Sequence, residues 1–288
     1  MTGPDRRLEP LTPTTTRQLL DEYGLAPRRA DGQTFLVDAN VVDRIIATAD
    51  LPPGSPVLEI GPGLGALTRG LLRAGHTVVA VEIDAGFVRM LADTLGDVPA
   101  LRVLHADAMG VDPDELFTDA VPEGGPVPVV ANLPYNVATP LLFHLLAASR
   151  VGDLLLMVQA EVGERWVARP GDSPYGAVSL KLALLAVAEL AFRVPPTVFV
   201  PVPRVDSAMV RIRRVADAPV GDDRDRLLAL VDDCFTQPRK TLRNNLLAGR
   251  PGVEVDEALA AVGLDPAIRP GRLTTADVLA LDGTLAGG

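Results

Sequence analysis

The sequence Val57-Leu58-Glu59-Ile60-Gly61-Pro62-Gly63-Leu64-Gly65 decides the fold. Its first four residues predict a strand, its glycines predict a turn, and residues 66–74 predict a helix that ends at Gly75. Gly61 and Gly63 carry no Cβ atom, so the backbone there can approach a ligand closely where the helix begins. The stretch therefore predicts a βα unit whose turn binds a ligand.

Two further strands indicate the kind of ligand. Residues 77–81 predict a strand that leads to Glu82, and a carboxylate about 20 residues after such a glycine turn can accept hydrogen bonds from both ribose hydroxyls. The glycine turn and Glu82 alone fit a nicotinamide dinucleotide equally well. Residues 101–106 predict the next strand, and Asp107-Ala108 follow it. An acid there would receive the amino group of an adenine while Ala108 leaves room for the ring, which favours S-adenosylmethionine.

A fourth predicted strand ends in a turn that suits a planar amine. The apolar run 127–131 predicts a buried parallel strand, and open α/β sheets bind ligands at the carboxyl ends of such strands. There, the Asn132 amide oxygen and the carbonyl of Leu133 or Pro134 can both accept hydrogen bonds from one NH2 group. The Tyr135 ring offers a face on which a base can stack, worth about 1–3 kcal/mol.

Three motifs resemble one enzyme family. Asn-Leu-Pro-Tyr-Asn-Val begins at Asn132, Asp-Gly-Gln-Thr-Phe-Leu at Asp31, and Arg-Lys-Thr-Leu-Arg-Asn-Asn-Leu at Arg239. Over roughly residues 27–282 the chain resembles the small-subunit ribosomal RNA adenine N6,N6-dimethyltransferases. The resemblance implies that methyl groups pass from S-adenosylmethionine to N6 of two adjacent adenines near the 3′ end of 16S rRNA. The implied partner is the precursor of the small ribosomal subunit with its 16S rRNA.

The resemblance also implies roles for individual residues. Thr34 stands where the family has Asn, and because threonine lacks the amide we expect a backbone contact there. In the family, a Phe-x-Pro-x-Pro segment brings an aromatic ring to the second face of the target base, which points to Phe199. The candidate catalytic residues are Asn132, Leu133, Pro134, Tyr135 and Phe199. The candidate cofactor-binding residues are Gln33, Thr34, Leu36, Gly61, Gly63, Glu82, Ile83, Asp107, Ala108 and Asn132.

Length and pattern predict the domain organisation. The chain has 288 residues, of which 48% are hydrophobic, enough for a large domain and a small one. We predict an α/β fold, namely a Rossmann-like class I methyltransferase sheet with a smaller C-terminal helical domain. Residues 1–26 would form a tail and a short helix, residues 27–215 the methyltransferase domain, and residues 216–288 the RNA-contacting helical domain.

Few residues are available for disulfides or metal clusters. The chain has one cysteine, Cys234, and three scattered histidines, so we expect neither an internal disulfide nor a bound metal. The amino terminus lacks the apolar segment of a signal peptide, and the most apolar stretch is interrupted by charges. We therefore expect a cytoplasmic protein without a membrane span, acting as a monomer.

Net charge is the main argument against this function. A formal charge of −10 does not suit a generic nucleic-acid binder, because phosphate affinity comes mainly from Lys and Arg. Net charge says little about local patches, however. We expect RNA contacts from Arg204, Arg239, Lys240 and Arg243, with Pro238 where the family usually has another Arg. Further basic residues that could join such a face are Arg28, Arg29, Arg211, Arg213 and Arg214.

Three other functions remain compatible with the sequence. A large-subunit rRNA adenine methylase of the macrolide-resistance type shares the cofactor turn, although the Asn-Leu-Pro-Tyr-Asn motif and the long C-terminal region favour the small-subunit family. A ribosome-assembly factor with secondary methylase activity would carry the same motifs. A dinucleotide oxidoreductase is disfavoured because no proton-relay residues accompany the glycine turn.

Overall fold

The computed structural model describes residues 5–27, 33–117 and 125–285. Arg28, Arg29 and the Asp31-Gly32 pair, which carried parts of the sequence interpretation, lie outside the described residues. The chain divides into two compact units. The first unit consists of Met1–Gly163 and Glu189–Arg213, and the second unit consists of Glu164–Ala188 and Arg214–Gly288.

The strands of the described residues form a large sheet and a small one. The strand bounds are β1 Phe35–Leu36, β2 Pro56–Ile60, β3 Thr77–Glu82, β4 Leu101–His105, β5 Val127–Asn132, β6 Val151–Gln159, β7 Ala186–Val194, β8 Phe199–Val200 and β9 Ser207–Arg214. The small sheet pairs β1 with β8 in antiparallel fashion, and the large sheet has seven strands in the order β4-β3-β2-β5-β6-β9-β7.

Strand direction determines where a ligand can bind. β2 pairs in parallel with β3 and with β5, β3 pairs in parallel with β4, and β5 pairs in parallel with β6. Strand order therefore reverses between β2 and β5, which places a crevice beyond their carboxyl ends. β9 pairs with β6 in antiparallel fashion, so it begins at the edge of the sheet where β6 ends. The predicted α/β fold is confirmed.

Helices follow most of the parallel strands. Side chains of Thr12, Asp38 and Asp84 cap three helices of the first unit by accepting hydrogen bonds from backbone N–H groups. The sequence analysis did not predict the helix after β3. Among the described residues, no helix has the length and apolar character needed to cross a membrane. The helices up to residue 167 are α1 Pro13–Glu22, α2 Ala39–Ala49, α3 Ala66–Arg73, α4 Ala85–Leu95, α5 Ala138–Ala147 and α6 Ala160–Val167.

The core of the first unit includes the N-terminal segment. Leu11 and Leu20 are buried and pack with Val57, Leu71 and Leu91 in one hydrophobic cluster. Residues 1–26 were predicted to form a tail and a short helix apart from the methyltransferase domain. In the structure the described part of this segment belongs to the first unit, because its leucines are buried in the core of that unit.

The second unit is helical and has its own core. Its helices include α7 Ala177–Leu185, α8 Gly221–Cys234, α9 Leu242–Leu246, α10 Gly252–Ala261 and α11 Thr275–Leu285. Leu180 and Leu184 of α7 pack with Leu227, Leu259 and Leu281. The predicted domain boundary at residue 216 therefore missed Glu164–Ala188, whose helix α7 contributes leucines to this core.

A close contact between α2 and α3 yields a stability prediction. A Cβ atom added at Gly70 of α3 would clash with Cγ1 of Val42, a β-branched side chain with little rotamer freedom. Gly70→Ala should therefore lower the free energy of unfolding by about 1–3 kcal/mol, although alanine favours a helix. The measurement is urea unfolding followed by circular dichroism. Gly283 of α11 is the matched control, because nothing lies within 4 Å of an added Cβ there.

Gly283→Ala should leave the free energy of unfolding unchanged or raise it by up to about 1 kcal/mol. Equal effects of the two substitutions would contradict the proposed close packing of α3 on α2.

Candidate active site

A single cavity collects most of the residues singled out in the sequence. It has a volume of about 600 Å³ and lies in the first unit, beyond the carboxyl ends of β2, β3, β4 and β5. Phe35 also lines it. The predicted site residues that line the cavity are Gln33, Thr34, Leu36, Gly61, Gly63, Glu82, Ile83, Asp107, Ala108, Asn132, Leu133, Pro134 and Tyr135.

The glycine turn brings backbone to the cavity surface. Gly61 and Gly63 have φ angles of 67° and 52°, in the left-handed region that favours glycine. A Cβ atom at Gly63 would lie only 3.3 Å from Cε1 of Phe35. Gly65 is the N-cap of α3 and provides no side-chain hydrogen bond to the first turn of this helix, whose N-terminus can attract an anionic or polar group.

Glu82 joins the first two strand ends. Its Oε2 accepts a hydrogen bond from the Gly63 N–H at 3.0 Å, and its Oε1 accepts one from the Asp84 N–H at 2.9 Å. Burial raises the pKa of Glu82 above its ordinary value, while these two backbone hydrogen bonds oppose the rise. A carboxylate has about four acceptor positions, so this group can also accept hydroxyl hydrogens from a ligand.

Glu59 is a second buried carboxyl group in the cavity wall, and the sequence analysis did not single it out. It is 2% exposed, and its Oε2 accepts a hydrogen bond from the Thr68 hydroxyl at 2.7 Å. Burial raises the pKa of Glu59 to about 8. At neutral pH most of the Glu59 carboxyl is therefore protonated, so it can donate a hydrogen bond as well as accept one.

Arg69 holds the glycine turn through hydrogen bonds to its carbonyl groups. Its guanidinium is buried and donates to the carbonyls of Leu64 at 2.7 Å and Gly65 at 3.2 Å. Its Nε also donates to the carbonyl of Arg7 at 3.1 Å. Burial lowers the pKa of Arg69 to about 10, so it stays charged near neutral pH. The N-terminal segment and the glycine turn are thus held by one side chain.

The next strand ends supply apolar surface and one carboxylate. Ile83 is 63% exposed and Met109 is 40% exposed, although both are apolar and both line the cavity. Asp107 is exposed and its Oδ1 accepts a hydrogen bond from the Met109 N–H at 2.9 Å. His105 lies at the cavity too, with its Nε2 3.1 Å from the Ile83 carbonyl oxygen. The sequence analysis missed Met109 and His105, since neither residue type at a strand end carries a binding signal.

The turn after β5 presents an amide and an aromatic ring to the cavity. The Leu133 N–H donates to the Met157 carbonyl at 3.0 Å, which fixes the turn on β6. Leu133 itself is buried, whereas Asn132 and Tyr135 are partly exposed. Within the described residues, no group makes a hydrogen bond to the Asn132 side-chain amide, so its oxygen is available to a ligand. The Tyr135 hydroxyl lies 2.8 Å from the Ser207 hydroxyl.

Phe199 does not stand where the sequence analysis expected it. It is 1% exposed, pairs with Leu36 across the small sheet and packs in the core of the first unit. It is absent from the cavity wall, at which Phe35 stands instead. The structure therefore does not bring Phe199 to the cavity, because its ring packs in the core.

The predicted RNA-binding residues differ in their surroundings. Arg204, Arg239 and Lys240 are exposed, and no carboxylate in the described part of the chain forms an ion pair with them. Arg243 instead forms a two-point ion pair with Asp256, with distances of 2.6 and 2.8 Å. The predicted RNA contact of Arg243 stays a prediction, and the structure adds that Asp256 balances the charge of this side chain. Among the further basic residues, Arg211 and Arg213 face Glu189 at 3.6 and 3.3 Å.

The sheet order, the glycine turn and the acidic residues on the following strand ends define a class I methyltransferase. Comparison with known proteins identifies the group within that class. The profile of the family described as ribosomal RNA adenine dimethylase matches residues 24–281. The chain belongs to this family, and the predicted ribosomal RNA adenine dimethyltransferase activity is confirmed at that level.

Close relatives cover nearly the whole chain. Two relatives are named ribosomal RNA small subunit methyltransferase A. The protein from Leifsonia xyli is 45% identical, and the alignment covers 94% of this chain and 97% of the relative. The protein from Moorella thermoacetica is 42% identical, and the alignment covers 95% of this chain and 98% of the relative. Among solved structures, a dimethyladenosine transferase from Plasmodium falciparum has a TM-score of 0.72, 25% identity, and coverage of 86% and 95%. The 23S rRNA methyltransferase ErmE has a TM-score of 0.65, 29% identity, and coverage of 88% and 99%.

The raised pKa of Glu59 makes stability depend on pH. Between the ordinary pKa of 4.5 and the folded value of about 8, the unfolded chain loses the Glu59 proton while the folded chain keeps it. The folded state is therefore increasingly disfavoured as pH rises through this window, with a limiting slope of about 1.4 kcal/mol per pH unit. Glu59→Gln cannot titrate, so it should gain stability relative to the wild type from about pH 5 to about pH 8.

Urea unfolding across this pH range measures the effect. Glu254→Gln, at an exposed position outside the cavity, is the control and should reproduce the wild-type pH profile. Parallel profiles for Glu59→Gln and the wild type would mean that Glu59 is ionised in the folded protein.

Proposed function

We propose that the cavity binds S-adenosylmethionine beside a flipped-out adenine and that the target is the small-subunit rRNA. The observation that carries this proposal is the Asn132 amide, which has no partner among the described side chains and shares one cavity with Glu82 and the glycine turn. The end of the cavity at Asn132 thus suits the amine that receives the methyl group, and the end at Glu82 suits a nucleoside. The activity belongs to the family, and the proposal assigns it to particular atoms.

The cavity wall fits the nucleoside part of the cofactor. The Glu82 carboxylate can accept hydrogen bonds from ribose hydroxyls, and the absence of Cβ atoms at Gly61 and Gly63 lets the ligand approach the backbone. The exposed apolar side chains of Ile83 and Met109 suit a flat adenine ring, since burying them would remove apolar surface from water. Asp107 can accept a hydrogen bond from the amino group of that ring.

Orientation supplies much of the catalysis. When bound, S-adenosylmethionine supplies a methyl group on a sulfonium centre, which is a strong leaving group. Asn132 and a carbonyl of the Leu133-Pro134 pair would hold the target NH2 group with its lone pair toward that methyl. Holding two reactants in line can lower a barrier by about 7–11 kcal/mol. The Asn132 oxygen also favours the positive charge that develops on nitrogen in the transition state.

The target base must leave its stack before it can enter the cavity. Unstacking a base costs a few kcal/mol, and an aromatic face in the site offsets part of that cost. Tyr135 is partly exposed at the cavity and can offer this face. Phe199 would have to leave the core to provide the opposite face, so we assign the stacking role to Tyr135 alone.

The small-subunit target rests on the relatives. Two of them, at 42% and 45% identity, are named as small-subunit methyltransferases and align with the chain almost from end to end. The precursor of the small subunit is therefore the proposed substrate, with two adjacent adenines of 16S rRNA as the acceptors. The similarity to ErmE, at 29% identity, keeps the large-subunit rRNA as the second candidate.

RNA binding would depend on a few cations in an acidic chain. Arg239 and Lys240 in the second unit and Arg204 in the first are exposed, have no carboxylate partner among the residues that the structure describes, and can each contact a phosphate. Other basic residues of the second unit are neutralised locally, as Arg243 is by Asp256 and Arg250 is by Asp233. The net charge of −10 is therefore compatible with a local cationic surface formed by Arg239 and Lys240.

The direct test combines two substrates and one substitution. The protein is incubated with labelled donor and undermethylated small or large subunits, and nucleosides are analysed by mass spectrometry. We expect N6,N6-dimethyladenosine from the small subunits. Asn132→Ala should lower kcat at least about 100-fold, because it removes an acceptor aimed at the reacting nitrogen. It should leave cofactor affinity, measured by calorimetry, unchanged.

Asn40→Ala, at an exposed position outside the cavity, is the matched control and should retain full activity. Dimethyladenosine in the large subunit alone would refute the small-subunit assignment. Equal loss of cofactor binding and turnover in Asn132→Ala would place Asn132 in the cofactor site and refute its role at the amine.

Salt dependence tests the cationic surface. The logarithm of the association constant for RNA falls linearly with the logarithm of the salt concentration. Removing one cation that binds a phosphate should make this slope shallower by about 0.7–0.9. The double substitution Arg239→Ala with Lys240→Ala should therefore lower this slope by roughly 1–2 in binding to an rRNA fragment. Arg243→Ala is the control, because its ion pair with Asp256 already neutralises the charge. A larger slope change in Arg243→Ala than in the double variant would contradict this assignment.

A further inference from the structure

The aromatic ring at the amine site is held from another strand. The Tyr135 hydroxyl lies 2.8 Å from Oγ of Ser207, within hydrogen-bond distance. Ser207 is fully buried and is the first residue of β9, whereas Tyr135 is partly exposed at the cavity. The two residues are 72 positions apart in the chain, so the sequence alone gives no sign that they meet.

Sheet topology explains why they meet. β9 pairs with β6 in antiparallel fashion, with Ser207 opposite Gln159 and Met209 opposite Met157. β9 therefore begins at the edge where the parallel strands end and where the turn after β5 lies. The same turn is fixed to β6 through the hydrogen bond from Leu133 to Met157. A side chain at the start of β9 is thus placed beside the ring of Tyr135.

The start of β9 is itself held in place. The Asp206 carbonyl accepts a hydrogen bond from the Ala160 N–H at 2.9 Å, which ties the residue before Ser207 to the first residue of α6. The Ser207 side chain is 0% exposed, so its hydroxyl has no access to water and needs a protein partner. Tyr135 provides that partner, which gives the contact a physical reason to persist in solution.

We infer that Ser207 is a positioning residue for the methyl transfer, because it fixes the ring of Tyr135 in the orientation that faces the cavity. This inference rests on the proposed role of Tyr135 as the stacking face. Ser207 does not line the cavity, so it acts through Tyr135 and not on the base. Asn132 and Tyr135 lie three residues apart on one turn, and a fixed ring therefore also fixes where a stacked base lies relative to the Asn132 oxygen.

Losing the hydrogen bond between Ser207 and Tyr135 should slow methyl transfer without weakening cofactor binding. A tyrosine ring without its hydrogen bond can turn away from the cavity, so a stacked base would spend less time in the reactive position. A single hydrogen bond of this kind accounts for a change of about three- to tenfold in rate. We expect Ser207→Ala to lower the rate constant of methyl transfer, measured in a single turnover, by about that factor. The Kd for S-adenosylmethionine should stay unchanged.

A double-mutant cycle separates positioning from general damage. The variants are Ser207→Ala, Tyr135→Phe and both together, assayed with undermethylated small subunits and with calorimetry of the cofactor. If the hydroxyl pair acts as one unit, each single variant and the double variant should show the same loss. Ser207→Thr keeps a hydroxyl at this position and should restore most of the rate.

The matched control is another buried serine. Ser179 of the second unit is 1% exposed and donates a hydrogen bond to the Arg165 carbonyl at 2.5 Å. Ser179→Ala removes a buried hydroxyl of the same size away from the cavity, so it should lower stability without changing kcat of the folded fraction. If Ser207→Ala does not fold, Tyr135→Phe, which keeps both the ring and the serine, still measures how much of the rate depends on the hydroxyl pair.

Each outcome has a definite meaning. Additive losses in the double variant, unchanged kcat in Ser207→Ala or Tyr135→Phe, or a weaker cofactor Kd in Ser207→Ala would overturn the inference. An inactive wild type on both ribosomal substrates would instead refute the proposed function. These results are distinguishable because the first set requires an active wild-type enzyme.

Discussion

The carboxylate of Glu82 is the contact on which the rest of the site depends. It accepts hydrogen bonds from Gly63 on the turn after β2 and from Asp84 at the start of α4, at 3.0 and 2.9 Å. The glycine turn and the end of β3 are thereby locked together before any ligand arrives. Its burial costs free energy, which the two backbone donors partly offset. Burying a carboxyl group lowers the stability of the fold, and groups buried in this way are common at functional sites. The proposed contact with two ribose hydroxyls gives Glu82 such a function.

The site also depends on one antiparallel strand in an otherwise mostly parallel sheet. Parallel strands bring Glu82, Asp107 and Asn132 to a common edge because all of them run in the same direction. β9 runs the other way and so brings its first residue, Ser207, to that edge. The proposed cofactor side is thus built from strand ends, whereas the proposed amine side combines the end of β5 with the start of β9. Arg69 completes the frame by holding the glycine turn and the N-terminal segment together.

Local signals predicted much of this arrangement, and long-range packing accounts for what they missed. The glycine turn, Glu82 and Asn132 could be predicted because strand, turn and side chain are adjacent in the chain and each strand end points to the same edge. Phe199 could not be placed correctly, since its motif gives no information on whether the ring faces a cavity or pairs with Leu36 in the core. The ion pair between Arg243 and Asp256 and the contact of Tyr135 with Ser207 join residues far enough apart in sequence that only the fold reveals them. The grouping of Glu164–Ala188 with the second unit differs from the predicted boundary for the same reason, because its leucines fit either core by composition.

The central claim is that one cavity holds the nucleoside against Glu82 and directs the reacting group toward Asn132. A crystal structure of the protein with S-adenosylhomocysteine and adenosine tests it most directly. The account predicts both ribose hydroxyls of the cofactor product within hydrogen-bond distance of the Glu82 carboxylate, and the exocyclic amine of the second nucleoside on the Asn132 oxygen. A cofactor product bound away from Glu82, or an adenine amine that makes no contact with Asn132, would contradict it.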